Sequence, residues 1–293
     1  MTSGNGCLNR AEGAGVTRTR FAPSPTGFLH LGHAYAALTA HHFASTGEFL
    51  LRIEDIDRER CRSEFETAIF EDLAWLGLDW PRPVMRQSDR MAAYHAALDR
   101  LAPLTYPCRC RRGDIRAALS APQEDALPAG PDGLIYPGTC RGRPMSDAQP
   151  DDVIRLDVAR AFDALGLDRL SFRDEAILPV EDHGMTREEF LGGIGDVILA
   201  RRGMGTSYHL AVVVDDAAQE IDLVTRGKDL FDSTWIHVLL QRLLGLPTPR
   251  YHHHRLIRDD AGHRLAKRDD ARAIRHLRED GATPADIKAM VGL

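Results

Sequence analysis

The chain of 293 residues reads as an α/β protein, an open parallel sheet divided by an insertion and followed by a small helical C-terminal part. Three observations predict this. Short apolar runs alternate with stretches of helical period in the first hundred residues, and again after Phe190. Between them, from Tyr106, the alternation fades, and residues 120–150 are dense in Pro, Gly, Ala and Asp. The last strand-like run, at Tyr251, is followed only by a basic loop and two short helical segments. The expected organisation is a flexible tail (1–16), a first half-domain (17–105), an insertion (106–190), a second half (191–245) and a C-terminal part (246–293).

Taken in order, residues 1–16 are rich in Gly, Ser, Thr and Asn, carry no apolar signal-peptide core, and fit a flexible tail. The first strand, Arg20-Phe21-Ala22, stops at Pro23, because proline fixes φ and cannot donate to a ladder. His30 and His33 then open an amphipathic run through Tyr35, Leu38, His42 and Phe43. Strand, turn and helix place two imidazoles at a helix start, where unpaired N–H groups and the positive end of the helix dipole favour phosphate. The imidazoles add donors for a phosphate whose charge grows during reaction. Gly32 leaves bare backbone against which a base or ribose can lie.

Phe49–Ile53 reads as a buried second strand of a parallel sheet. It ends in Glu54-Asp55-Ile56-Asp57, at the edge where open α/β sheets bind ligands. Glu64–Leu76 carries a helical stripe that stops at Gly77. Gln87-Ser88-Asp89 offers a serine or aspartate cap to the helix of Met91, Tyr94, Leu98 and Leu101. Inside the insertion, Val153–Leu156 and Leu170–Phe172 read as short strands. Beyond it, Asp196–Leu199 is strand-like, and Ser207–Asp216 is a strand or a buried helix, which periodicity leaves open. Ile221–Gly227 reads as a strand ending in a ligand-facing Arg226, and Lys228-Asp229-Leu230 opens a helix that stops at Gly245. Tyr251-His252-His253-His254 reads as an edge strand with alternating histidines rather than a metal tract. Gly262–Asp269 is a basic loop carrying Lys267, one of three lysines in an arginine-rich chain. Its compact ammonium suits a triphosphate whose charge moves toward a leaving pyrophosphate. Asp270–Asp280 and Pro284–Val291 make two short helices, the second with Thr283 as cap and Pro284 at its first position.

Composition narrows the classes. No apolar run reaches the ~18 residues of a membrane span. Five cysteines without an export signal argue against a disulfide framework and for a reducing cytoplasm. The net charge of −6 does not mark a nucleic-acid binder, although Arg250–Arg278 holds nine Lys/Arg against four Asp. Cys108-Arg109-Cys110 and Cys140 group three thiols in the insertion. A zinc site and three unligated thiols both fit this C-x-C spacing, since a fourth cysteine is missing.

The string R-F-A-P-S-P-T-G-F-L-H-L-G-H, Arg20 to His33, resembles the first signature of class I aminoacyl-tRNA synthetases in the form used by the glutamyl group. L-R-I-E-D-I-D (51–57), S-Y-H-L-A-V-V-V-D-D (207–216) and V-T-R-G-K-D-L (224–230) are similar to the same branch. The segment around Lys267 resembles a degenerate K-M-S-K-S, with Arg264, Ala266 and Arg268 in place of a lysine and two serines. The resemblance implies a Rossmann-type sheet and ATP-dependent activation of L-glutamate, with Mg²⁺ accompanying ATP. It assigns His30, His33 and Lys267 to catalysis, and the same three with Gly32 to ATP. It assigns Arg20, Phe21, Ala22, Pro23, Ser24, Glu54, Tyr208 and Arg226 to glutamate. It also implies a zinc ion on Cys108, Cys110, Tyr136 and Cys140. The 25 residues after Arg268 are too few for an anticodon-binding domain, so the likeness narrows to shortened paralogues of the glutamyl enzymes. For these the implied acceptor is the queuosine base in the anticodon loop of tRNA(Asp), and the implied form is a monomer with no membrane attachment. The alternatives are a truncated enzyme charging another acceptor, a small-molecule nucleotidyltransferase, and a catalytically silent RNA-binding paralogue.

Overall fold

The computed structural model describes residues 17–119, 127–176, 180–257 and 273–293. The expected tail, the Lys267 loop and the first residues of the helix expected from Asp270 lie outside the described residues. In chain order come β1 (Arg18–Phe21), α1 (Leu31–Phe43), β2 (Glu48–Ile53), α2 (Ser63–Trp75), β3 (Met85–Arg86), α3 (Met91–Leu101), β4 (Thr105–Cys108) and α4 (Arg112–Leu119). They are followed by β5 (Ala129–Gly130), β6 (Gly133–Leu134), β7 (Val153–Leu156), α5 (Val158–Leu165), β8 (Arg169–Asp174), β9 (Glu181–Thr186) and α6 (Arg187–Gly193). The last are β10 (Ile198–Ala200), α7 (Tyr208–Ala218), β11 (Leu223–Gly227), α8 (Phe231–Leu243), β12 (Arg250–His254), α9 (Ile274–Glu279) and α10 (Pro284–Met290). Contacts divide the chain into two units: Met1–Asp89 with Glu220–Lys228 and Tyr251–Leu293, and Arg90–Gln219 with Asp229–Arg250.

In the first unit β1, β2 and β3 form a parallel sheet, with Arg18 opposite Glu48, Phe21 opposite Leu51, and Arg52 opposite Met85. Gly47 permits this register: a Cβ there would lie 1.9 Å from the Thr17 carbonyl oxygen. β11 runs beside β1, with Asp222 N donating to Arg18 O at 3.0 Å. Thr19 ties β1 to α1 by donating from Oγ1 to Ala40 O at 2.8 Å. One core serves the unit. Phe21, Leu51 and Ile53 of the sheet pack with Ala34, Ala37 and Leu38 of α1 and Ile69 and Leu73 of α2. Ile274, Ile287 and Val291 join the same cluster from the end of the chain. At about 1.5–3 kcal/mol for each large apolar side chain removed from water, these residues are what hold the C-terminal helices down. α10 begins as expected, with Thr283 accepting from Asp286 N at 3.3 Å and Pro284 in its first turn.

In the second unit β7 lies between β4 and β10, antiparallel to both, and β8 and β9 form an antiparallel hairpin with Arg169 opposite Thr186. The run that periodicity left open is the helix α7, capped by Ser207, whose Oγ accepts from Leu210 N at 3.3 Å. Its buried Asp215 accepts from Arg90 Nε at 2.6 Å and from Tyr94 Oη at 2.7 Å.

Two local expectations are corrected. Ser88 does not cap α3. Its N–H and Oγ both donate to Asp55, at 2.8 and 2.6 Å, and the N-cap position is Arg90, whose side chain makes no cap bond. The histidine strand is not an open edge either, since Tyr251, His252, His253 and His254 are all buried. His254 packs edge-on against Tyr35 and His252 lies against Phe43, with ring centroids 5.1 and 4.6 Å apart.

Candidate active site and thiol centre

The first unit holds the expected phosphate and amino-acid residues other than Tyr208 and Lys267. β1 ends at Phe21 and leads through Ala22, Pro23 and Ser24. Pro23 O accepts from Glu54 N at 3.0 Å, which stitches the exit of β1 to the exit of β2. The turn then reaches His30, the N-cap of α1. His30 Nδ1 accepts from Gly32 N at 3.0 Å, and His33 Nδ1 accepts from His30 N at 3.2 Å, so the two imidazoles form a capping box. A nitrogen that accepts carries no proton. Each neutral ring therefore holds its hydrogen on Nε2, leaving that N–H to be donated elsewhere. The rings lie 3.8 Å apart, centroid to centroid. Gly32 has a reason beyond bare backbone: a Cβ there would sit 2.9 Å from His30 Cε1, in the space the capping ring occupies.

Arg20 and Arg226 stand on neighbouring strands, both buried. Arg20 Nη1 donates to Thr225 O at 3.2 Å, next to Arg226 in the chain. Arg226 Nε donates to His253 Nε2 at 3.2 Å, and its guanidinium lies over the Tyr251 ring, 5.2 Å from the centroid. Glu54 is buried and accepts from Arg52 Nη2 at 3.2 Å. Arg52, fully buried, had no place in the sequence argument, and the basic-then-acidic alternation Arg52-Ile53-Glu54 on one strand face was its signal. Tyr208 belongs to the second unit, where it opens α7 and its ring faces those of His209 and His237 at 5.3 and 5.6 Å. Lys267 lies outside the described residues.

The thiol centre lies within the second unit. β4 delivers Cys108 and leads to Cys110, and the turn after β6 delivers Tyr136 and Cys140. The three Sγ atoms lie within 4.8 Å of one another. Tyr136 Oη is 3.3 Å from Cys108 Sγ and 3.5 Å from Cys110 Sγ. A tetrahedral zinc with bonds of ~2.3 Å needs sulfurs ~3.8 Å apart. The observed group, with Cys110 and Cys140 at 3.5 Å, needs little adjustment. Burial pushes the Cys110 thiol up to about 11. Burial works the same way on Cys140, but hydrogen bonds from Tyr136 and from the Arg109 backbone outweigh it and hold that thiol near 7. Among the described residues, no other group of His, Cys, Asp or Glu has ligand atoms so placed.

The family described as "tRNA synthetases class I (E and Q), catalytic domain" matches residues 16–132 and 158–293. The unmatched stretch carries Tyr136 and Cys140. The Glutamyl-Q tRNA(Asp) synthetase of Rhodobacter capsulatus is 56% identical over 282 residues, covering 94% of this chain and 99% of that protein. The protein of the same name from Nocardia farcinica is 43% identical over 277 residues, covering 93% of this chain and 82% of its own length. Among solved structures, the glutamate-tRNA synthetase of Elizabethkingia anophelis superposes with a TM-score of 0.71 at 26% identity. That match covers 94% of this chain, which spans 61% of the length of the solved one.

Proposed function

We propose, from the premise that this chain belongs to the class I tRNA synthetases of the glutamate and glutamine group and, within it, to the glutamyl-Q tRNA(Asp) synthetases, that its two histidines and two buried arginines carry out glutamate activation. The overall reaction joins L-glutamate to the queuosine base of tRNA(Asp) at the expense of ATP. The geometric support is one wall: Arg20 reaches the carbonyl next to Arg226, and the strand bearing Arg20 runs on into the two capping imidazoles.

In the first step an oxygen of the glutamate α-carboxylate attacks the α-phosphorus of ATP in line. A carbon–O–phosphorus link forms, the bond to the β-phosphate breaks, and pyrophosphate leaves. In the second, a hydroxyl of the modified base attacks the activated carbonyl, an ester forms, and AMP leaves. Positioning and charge stabilisation supply most of such a rate enhancement. His30 and His33 donate from Nε2 to phosphate oxygens as their charge rises. Arg20 and Arg226 present guanidinium forks to the two carboxylates. Glu54, buried beside Arg52, offers a carboxylate to the ammonium, and Lys267 takes the departing pyrophosphate. Mg²⁺ comes with ATP and is held mainly by its phosphates. The enzyme acts as a cytoplasmic monomer. Among the described residues no helix is long and apolar enough to cross a membrane.

The decisive experiment supplies labelled glutamate and ATP with tRNA(Asp) carrying or lacking queuosine. The label should appear in the anticodon-loop fragment of the queuosine form alone. Label at the 3′ end, or on tRNA without queuosine, refutes the acceptor.

The thiols and Tyr136 suit a structural zinc, whose chemistry when bound is to cross-link β4 to the turn after β6. Purified protein should contain about one zinc per chain. Cys140→Ala should lose it and cost about 3–5 kcal/mol, roughly 10 °C in Tm for a chain of this size. Metal analysis and thermal unfolding check this, and a zinc-free wild type of equal Tm ends the assignment.

A further inference from the structure

The second unit holds a cavity of about 520 Å³ that none of the residues assigned to glutamate or ATP lines. Its size falls in the range of small-ligand sites, ~300–1,000 Å³. Its walls are aliphatic: Ile115, Leu134, Ile194, Val197 and Ile198. Four arginines are among its lining residues, Arg112, Arg116, Arg155 and Arg201. Arg155 stands on β7. It is buried, its guanidinium lies 3.9 Å over the Tyr136 ring, and its Nη1 donates to Asp196 O at 3.0 Å. Its Nε is buried without a hydrogen-bond partner among the described residues and has no surface open to the cavity.

Of the two carboxylates in the lining, Asp132 offsets part of this charge: burial works to raise its carboxyl, but the hydrogen bond from His209 and the nearby charges of His209, Arg201 and Arg155 hold it below its ordinary value. Asp196 is held at 2.8 Å by Arg141, which is outside the lining, and accepts from Tyr106 Oη at 2.6 Å and Val158 N at 3.0 Å. Asp132 accepts from His209 Nε2 at 3.0 Å, and His209 Nδ1 in turn meets His237 Nε2 at 3.0 Å. The cavity therefore joins an aliphatic lining to a rim of exposed arginines, Arg112, Arg116 and Arg201. An aliphatic slot suits the faces of a flat base, and an arginine fork suits a phosphate. Single-stranded RNA presents both together once a nucleotide is unstacked.

We propose that this cavity receives one unstacked nucleotide of the RNA acceptor, its base between the aliphatic walls and its phosphate on the rim arginines. The inference rests on the reading of the chain as a tRNA-glutamylating enzyme and adds a recognition site to it. A chemically similar ligand, a free nucleoside monophosphate, is the other source of the same groups.

Two variants test it. Arg112→Glu/Arg201→Glu inverts the exposed rim. Gly113→Phe adds a large ring at a residue of the lining, and a Cβ at Gly113 meets nothing within 4 Å, so the backbone tolerates it. Each is assayed for binding of tRNA(Asp) at several salt concentrations and for glutamate-dependent ATP–pyrophosphate exchange without RNA. Exchange should stay within about two-fold of wild type, which shows that both variants fold. RNA affinity should fall at least ten-fold in both, and the salt dependence of the charge variant should lose a slope of about two, the share of two phosphate contacts. RNA binding indifferent to Gly113→Phe overturns the slot. Uridine 5′-monophosphate bound by wild type and lost in Gly113→Phe, with RNA binding unmoved, gives the cavity to a free nucleotide and overturns the RNA assignment. Exchange by the unaltered chain judges the enzymatic reading separately.

Discussion

His30→Asn should leave the chain folded and nearly unable to activate glutamate. The side chain has two jobs that asparagine separates. Nδ1 caps α1 by accepting from Gly32 N at 3.0 Å, and an asparagine oxygen does that as well as any side chain. Nε2–H is the donor expected to meet phosphate, and asparagine cannot put a hydrogen there. Losing one transition-state donor costs a factor of about 10²–10³, or ~2.7–4 kcal/mol, in comparable sites. Glutamate-dependent pyrophosphate exchange should fall by that factor while Tm moves by no more than about 2 °C. His30→Ala should lose the same activity and in addition about 1 kcal/mol of capping, a few degrees of Tm. Exchange retained to within about three-fold in the asparagine variant would remove His30 from the chemistry and leave it a cap.

Arg226→Lys should raise the KM for glutamate at least about 100-fold with the KM for ATP little changed. Charge is kept and the fork is lost. Arg226 is 6% exposed, donates from Nε to His253, and lies flat over Tyr251, three things an ammonium on a flexible stem cannot reproduce together. Truncating one member of a buried charge pair costs about 2–5 kcal/mol, which sets the expected size. Steady-state kinetics with each substrate varied in turn measures the split. An equal loss for both substrates would point to a distorted strand, and an unchanged KM for glutamate would free Arg226 from its assigned carboxylate.

Much of the first unit was legible because its signals are local. Pro23 and the glycines end elements by backbone geometry, and Thr283-Pro284 opens α10 by a cap that needs no partner from elsewhere. What stayed illegible depended on residues distant in the chain. The continuous apolar run after Ser207 could not declare itself a helix, because Asp215, the residue that would be out of place in a buried strand, is satisfied by Arg90 and Tyr94. Ser88 looked like a cap until Asp55, 33 residues earlier, claimed both its donors. The alternating histidines suggested an edge strand, yet their rings pack on Tyr35 and Phe43 and one accepts from Arg226. The glutamate and phosphate residues were named from short strings that resemble a family. The cationic cavity was not, since Arg112, Arg155 and Arg201 share no string and meet only in space.

The last residues of the chain back the turn that carries the imidazoles. Ile274 N donates to Leu29 O at 2.8 Å, Ala273 bridges to His30, and Ile287 and Val291 sink into the core beneath α1. A loosened anchor at the far terminus would thus be felt as a blurred aim of the two rings. A binder clamped on α10 would, on this geometry, work as a remote throttle.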